Sequence, residues 1–163
     1  MSRLNFWCFC AVTFLIQGSV LPILMNGVWQ PDLWLVAVII AVLAFDKKTA
    51  LSLAVVGGLT QDIVTGNFFG MHLFPYIMIT FLIMAAVRER YNRQWFLSMV
   101  SVMAGTLVYI ALLWVVVHIG GDVVQPVHYV FYDGIPQVFM NGAAAVFLHN
   151  VLWNMKHEWE PRW

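Results

Sequence analysis

The chain has 163 residues and no net charge; 62 % of it is hydrophobic and only 10 % is charged. A soluble domain is about half apolar and a quarter charged, so this composition cannot cover a water-facing surface. Neutrality also excludes the basic field that nucleic acid binding requires, and lipid is the expected medium for a single transmembrane domain over 1–163.

A helix needs about 20 apolar residues to cross the hydrocarbon core. The sequence divides into six such segments, at 4–24, 31–45, 49–64, 72–87, 94–119 and 134–154. Runs such as Leu35-Val36-Ala37-Val38-Ile39-Ile40 lack the alternation of a barrel strand, and backbone at membrane depth must be bonded within its own segment, so each block is read as a helix. The expected fold is therefore an all-α, polytopic integral membrane protein.

The first block follows Arg3 but is longer than a signal-peptide core of roughly 7–15 residues. Pro22 and Met25-Asn26 stand where a small-residue cleavage site is needed, so it is expected to remain as a spanning helix. Cys8 and Cys10 lie on it, two apart, too few for a disulfide framework and on different faces. Reduced, lipid-facing thiols are the expectation.

The second to fourth segments are short and must borrow flanking residues or thin the bilayer. Pro31 and Asp32 open the second as a helix-start signal. Asp46 lies in a tight turn with Lys47 and Lys48 before the third. In the third, Ala54, Gly58 and Asp62 recur every four residues and share one face. Small residues let a neighbouring helix approach, which aims Asp62 at protein rather than lipid. An acid near a helix C-terminus opposes the macrodipole, and ionisable groups in membranes are costly, so a compensating partner is expected.

The fifth segment is long enough to tilt and carries Ser98, Ser101 and Gly105 on one face. The sixth, opened by Asp133, Gly134 and Pro136, carries Gln137, Asn141, Ala145 and His149 at intervals of four. Both faces read as helix-packing contacts.

The eight lysines and arginines are Arg3, Lys47, Lys48, Arg88, Arg90, Arg93, Lys156 and Arg162, and all fall on one side of this topology. Cytoplasmic loops carry the positive excess, so both ends are expected in the cytoplasm. Trp29, Trp34, Tyr91, Trp95, Tyr129, Tyr132, Trp153 and Trp159 cluster at span ends, where amphipathic rings favour the headgroup layer.

Nothing nominates catalysis or a bound cofactor. The histidines at 72, 118, 128, 149 and 157 form no HxxxH or HExxH pattern, and zinc needs three or four converging ligands. No phosphate loop, GxSxG elbow or CxxC pair occurs.

With these residues in view, the chain resembles the bacterial rod shape-determining MreD family. The likeness rests on Gln30-Pro31-Asp32-Leu33-Trp34, then Gly58-Leu59-Thr60-Gln61-Asp62, Thr65-Gly66, Phe69-Gly70-Met71-His72 and Asn141-Gly142, in that order. The resemblance implies a non-enzymatic part of the side-wall elongation machinery in the bacterial inner membrane. Implied partners are MreC, MreB, RodA and a class B penicillin-binding protein. The implied arrangement is similar to the helical bundle of S-components of energy-coupling-factor vitamin transporters. By carry-over, Gly58, Asp62, Gly70 and Asn141 are the positions expected at a functional cavity or partner contact. The alternative is a vitamin-binding S-component itself. Its first helix usually carries an Ala-xxx-Ala docking motif, where this chain offers Ala11, Gly18 and Ser19.

Overall fold

The computed structural model describes residues 3–25, 29–66, 69–86, 94–121, 125 and 129–157, and these are helical throughout apart from turns. Arg88, Arg90, Tyr91, Arg93, Asp122, His128, Trp159 and Arg162 lie outside the described residues.

In chain order the elements are α1 (Arg3–Leu15), a π-helical segment (Ile16–Val20) and α2 (Leu21–Leu24), which run on as one rod. Then come α3 (Leu33–Ala44), α4 (Lys47–Thr65), α5 (Leu73–Ala86) and α6 (Trp95–Ile119). A second π-helical segment (Tyr129–Gly134) leads into α7 (Ile135–His157). Among the described residues three stretches are long and apolar enough to cross a membrane: Leu4–Leu24, Trp95–Ile119 and Tyr129–Met155. Leu33–Ala44 and Leu73–Ala86 are apolar but shorter.

The helices coincide with the apolar blocks of the sequence, with two shifts. α4 begins at Lys47, so Lys47 and Lys48 lie in its first turn and not in a turn before it, with Asp46 as the N-cap. Helical structure before α7 begins at Tyr129 and passes through Asp133 as a π-turn. Asp133 was expected at the start of the last segment; it lies inside a helical turn and is exposed.

α3 is the axis of the bundle. It is apolar on every side, and such a helix has to be surrounded by protein or lipid. Here the surroundings are protein: Trp34 to Ala41 are all sealed, and α4, α5, α6 and α7 pack around them. The rod containing α1 is more peripheral and meets α4. Outward faces are apolar instead of polar, with Leu4, Ile23, Ile63 and Phe147 each more than 70 % exposed. Apolar surface of that extent marks contact with lipid or partners.

Two sequence expectations are corrected by this packing. Trp34 was read as a headgroup-layer aromatic, yet it is buried against Gly57, because it belongs to the central helix. Trp153 is likewise buried, whereas Trp29, Trp95 and Tyr132 are exposed. Cys10 is not lipid-facing; it packs in the core beside Phe9, while Cys8 is exposed.

Candidate functional site

Two clusters of buried polar side chains lie at helix ends. The first is the N-terminus of α3. A helix leaves its first four N–H groups without intrahelical partners, and a buried end must find them elsewhere. Asp32 is the N-cap and accepts from Leu35 N at 3.0 Å. Its own N–H donates to Asn141 Oδ1 at 2.7 Å, and Leu33 N donates to Gln17 Oε1 at 2.8 Å. Asn141 comes from α7, and Gln17 from the π-helical segment of the first rod. Asn141 also donates through Nδ2 to Thr106 Oγ1 on α6 at 3.1 Å, and that hydroxyl donates to Val102 O. The hydroxyl of Tyr76, on α5, lies 2.6 Å from each carboxyl oxygen of Asp32.

The second is the junction of α4 with α5. Asp62, in the last turn of α4, is buried, and its oxygens accept from Gly70 N at 2.8 Å and His72 N at 2.7 Å. Leu73 N approaches at 3.4 Å, and His72 Nδ1 lies 3.0 Å from Oδ1. A carboxylate oxygen accepts, so the imidazole donates to it when its hydrogen is on Nδ1. Asp62 thus meets the orphan amides at the start of α5, whose positive dipole end offsets the unfavourable place of an acid at the end of α4. This is the compensating partner that the sequence called for.

Local sequence makes this junction possible. Gly66 closes α4 in the left-handed conformation, φ +61°, with its N–H on Asp62 O. Gly70 has φ +97°, a region that side chains with a Cβ rarely occupy, and this turns the following amides towards Asp62. Gly58 lets the two backbones touch: a Cβ there would stand 2.5 Å from Leu73 Cα.

The two ends are joined by ring contact. The His72 ring meets Tyr76 at 6.4 Å between centroids, and Tyr76 meets Tyr109 of α6 at 5.8 Å. Asp62, His72, Tyr76, Asp32, Asn141, Thr106 and Gln17 therefore form one polar layer that touches every rod of the bundle among the described residues.

Such a layer fixes helices and offers no nucleophile beside a base. Across residues 1–156 the chain matches the family described as rod shape-determining protein MreD. It belongs to that family. MreD proteins are membrane proteins with a role in rod shape determination, and the family is non-catalytic. No curated protein and no solved structure matches the chain.

Of the four positions that the MreD resemblance singles out, three meet at one place: Gly58, Asp62 and Gly70 all lie at the α4–α5 junction. Asn141 belongs to the α3 end instead. Asp32 was read as a helix cap, which it is, but the sequence reading gave it no wider role. Tyr76, His72, Thr106 and Gln17 were missed as members of the layer. One signal was available for Asp32: a cap on an all-round apolar helix is buried along with that helix. The stripe on the last segment packs inward as expected, with Asn141, Ala145 and His149 buried and Ser98 Oγ 2.8 Å from His149 Nδ1.

Proposed function

We propose that this MreD-family chain is a non-enzymatic scaffold of side-wall elongation. It crosses the bacterial inner membrane six times with both ends in the cytoplasm and binds MreC foremost. MreB, RodA and a class B penicillin-binding protein are its further partners, supplied by the family resemblance. The observation that carries this reading is the use made of the buried polar groups. They bond to one another and to helix ends, so they hold rods in fixed relation, which is what a scaffold needs.

The α4–α5 junction is the sensitive element. It fixes the turn that displays Phe69, which is 69 % exposed and free to meet a partner. The decisive experiment is co-purification of the tagged protein from its own cells in mild detergent. MreC and wall synthases are expected with the wild type and are expected to be lost with Asp62→Ala and with Gly58→Leu. Normal rod shape and normal recovery of partners in both variants would refute the reading. Recovery of a paired ATPase with a coupling subunit, or of a bound vitamin, would replace it with the transporter alternative. Topology is checked separately by labelling single cysteines at Lys48 and Phe69 in a chain lacking Cys8 and Cys10, with opposite accessibility expected.

A further inference from the structure

At the end of the bundle that holds the α4–α5 junction, the first turn of α5 and the last turn of α6 part. Between them lies a groove of about 550 Å³, lined by Phe69, Gly70, Phe74, Val116, Ile119 and Gly120. It opens on the apolar surface of the bundle, where Phe69 and Ile119 stand exposed. Among the described residues no lining side chain is polar. Small-molecule sites occupy about 300–1,000 Å³ and are mostly apolar, so size and lining admit an apolar ligand. One turn of a helix, about 5.4 Å long and 10–12 Å across with its side chains, fills a comparable volume by itself. A spanning helix of a partner therefore does not seat in the groove, whereas a single alkyl chain does.

The charges at its mouth select among lipids. α6 ends at Ile119 beside the groove, and the C-terminal end of a helix carries partial negative charge. The start of α5 is the opposite, positive end, which attracts anions, but its amides are already taken. Gly70, His72 and Leu73 all donate through N–H to Asp62. His118, in the last turn of α6, stacks on Trp114 at 5.3 Å and does not line the groove. The described lysines and arginines lie at the other end of the bundle. Lys47 and Lys48 open α4, and Arg3 opens the first rod, whose Gly18 faces Val64. Lys156 is near the end of α7, which runs antiparallel to α6 with Gly134 beside Ile110 and Gly142 beside Met103.

We propose that this groove binds one acyl chain of a zwitterionic, amine-bearing phospholipid, whose ammonium group turns to the carbonyl end of α6. An anionic phospholipid finds no counter-charge there. The chain seats against Phe69 and Gly70 and so braces the turn that Asp62 fixes. The site follows from the groove alone and stands whether or not the scaffold reading does.

The test uses the full chain in vesicles of phosphatidylethanolamine and phosphatidylglycerol in equal parts, with a photoreactive diazirine on the acyl chain of one lipid at a time. Adducts are mapped by peptide mass spectrometry. They are expected to concentrate on Phe69, Phe74, Val116 and Ile119, above the level at Phe81 and Phe147, which are exposed elsewhere on the bundle. The ethanolamine lipid should give about two- to fivefold more of them, the value of one charge at a helix end. Val116→Trp fills the groove and should lower its adducts to the level of Phe81 and Phe147. Adducts spread evenly over all these positions overturn the proposal, and so do equal yields from the two lipids. p-Benzoylphenylalanine in place of Phe74 in living cells tests the other occupant: crosslinking to a protein instead of a lipid also overturns it. The wild-type adduct map decides even if Val116→Trp fails to fold.

Discussion

Replacing Gly58 by alanine adds one methyl group where two backbones touch. The new Cβ would lie 2.5 Å from Leu73 Cα, 3.0 Å from Leu73 N and 3.1 Å from Leu73 Cβ. Backbone cannot rotate away as a side chain can, so Leu73 must retreat by about 1 Å to restore ordinary contact. Overpacking of this kind costs about 1–3 kcal/mol. The retreat also draws the Leu73 amide, already 3.4 Å from Asp62, out of reach and strains the 2.7 Å bond from His72 N. A hydrogen bond to a charged group contributes about 1.5–3 kcal/mol. Against this, alanine favours the helix by about 1 kcal/mol. The net loss is about 2–4 kcal/mol, a rise of about thirty- to a thousandfold in the unfolding constant. Reversible unfolding in mixed detergent micelles, followed by circular dichroism, measures it. Gly18→Ala is the matched control, because its Cβ would find nothing nearer than Val64 Cγ1 at 3.9 Å. Stability of Gly58→Ala within about 0.5 kcal/mol of wild type, the range of neutral surface substitutions, would refute the close-approach argument.

Gly57→Ala and Gly105→Ala should separate in the same assay. The first meets the ring of Trp34 at 2.8 Å in a sealed core, whereas the second meets only the mobile tip of Ile39 at 2.6 Å; a loss of about 1–3 kcal/mol is expected for the first and a smaller one for the second. Asn141→Leu leaves the buried Asp32 N–H without its acceptor, at a cost of about 1–3 kcal/mol in unfolding free energy. Asp46 caps α4 through bonds from Thr49 N and Oγ1, so Asp46→Ala should lose about 1 kcal/mol. Partial burial pushes the Asp46 carboxyl up, but the bonds from Thr49 and the neighbouring amides outweigh it and hold it below the usual carboxylate range. The stability from this cap is therefore present above that range and is lost as pH falls through the lowered value. An equal response of Asp46→Ala and wild type to acid would contradict it.

Helix positions were legible because apolar blocks are bounded by charge and proline, and the same signal explains where the reading failed. Hydrophobicity says that a residue avoids water but not whether it meets lipid or protein. Trp34 and Cys10 were therefore assigned outward and proved buried. The Ala54–Gly58–Asp62 stripe was informative because spacing by four fixes a face and glycine marks an approach. Asp62 could thus be read as needing a partner, but the identity of that partner could not be read. It is set by the positive φ of Gly70, a turn geometry that composition does not encode. Tyr76 was invisible for another reason: it lies 44 positions from Asp32, and no local pattern connects them.

The position of the polar layer follows from the burial of the start of α3. Asp32 and Trp34 are sealed inside the bundle, so water does not reach the free amides of this helix end. Lipid offers no hydrogen bonds in compensation, and between apolar helices in lipid it offers little hydrophobic drive either. The first rod and α7 supply the missing acceptors through Gln17 and Asn141, and α5 supplies Tyr76 to the cap itself. Each of these side chains is useful only if its own rod stands in the correct register, so capping one short helix determines where three others sit. A displacement of any of them exposes an amide of α3 or breaks the Asp32–Tyr76 pair. The bundle is in this way held as a unit from one end, and a partner that moves α5 at its Phe69-bearing turn acts on the same set of bonds.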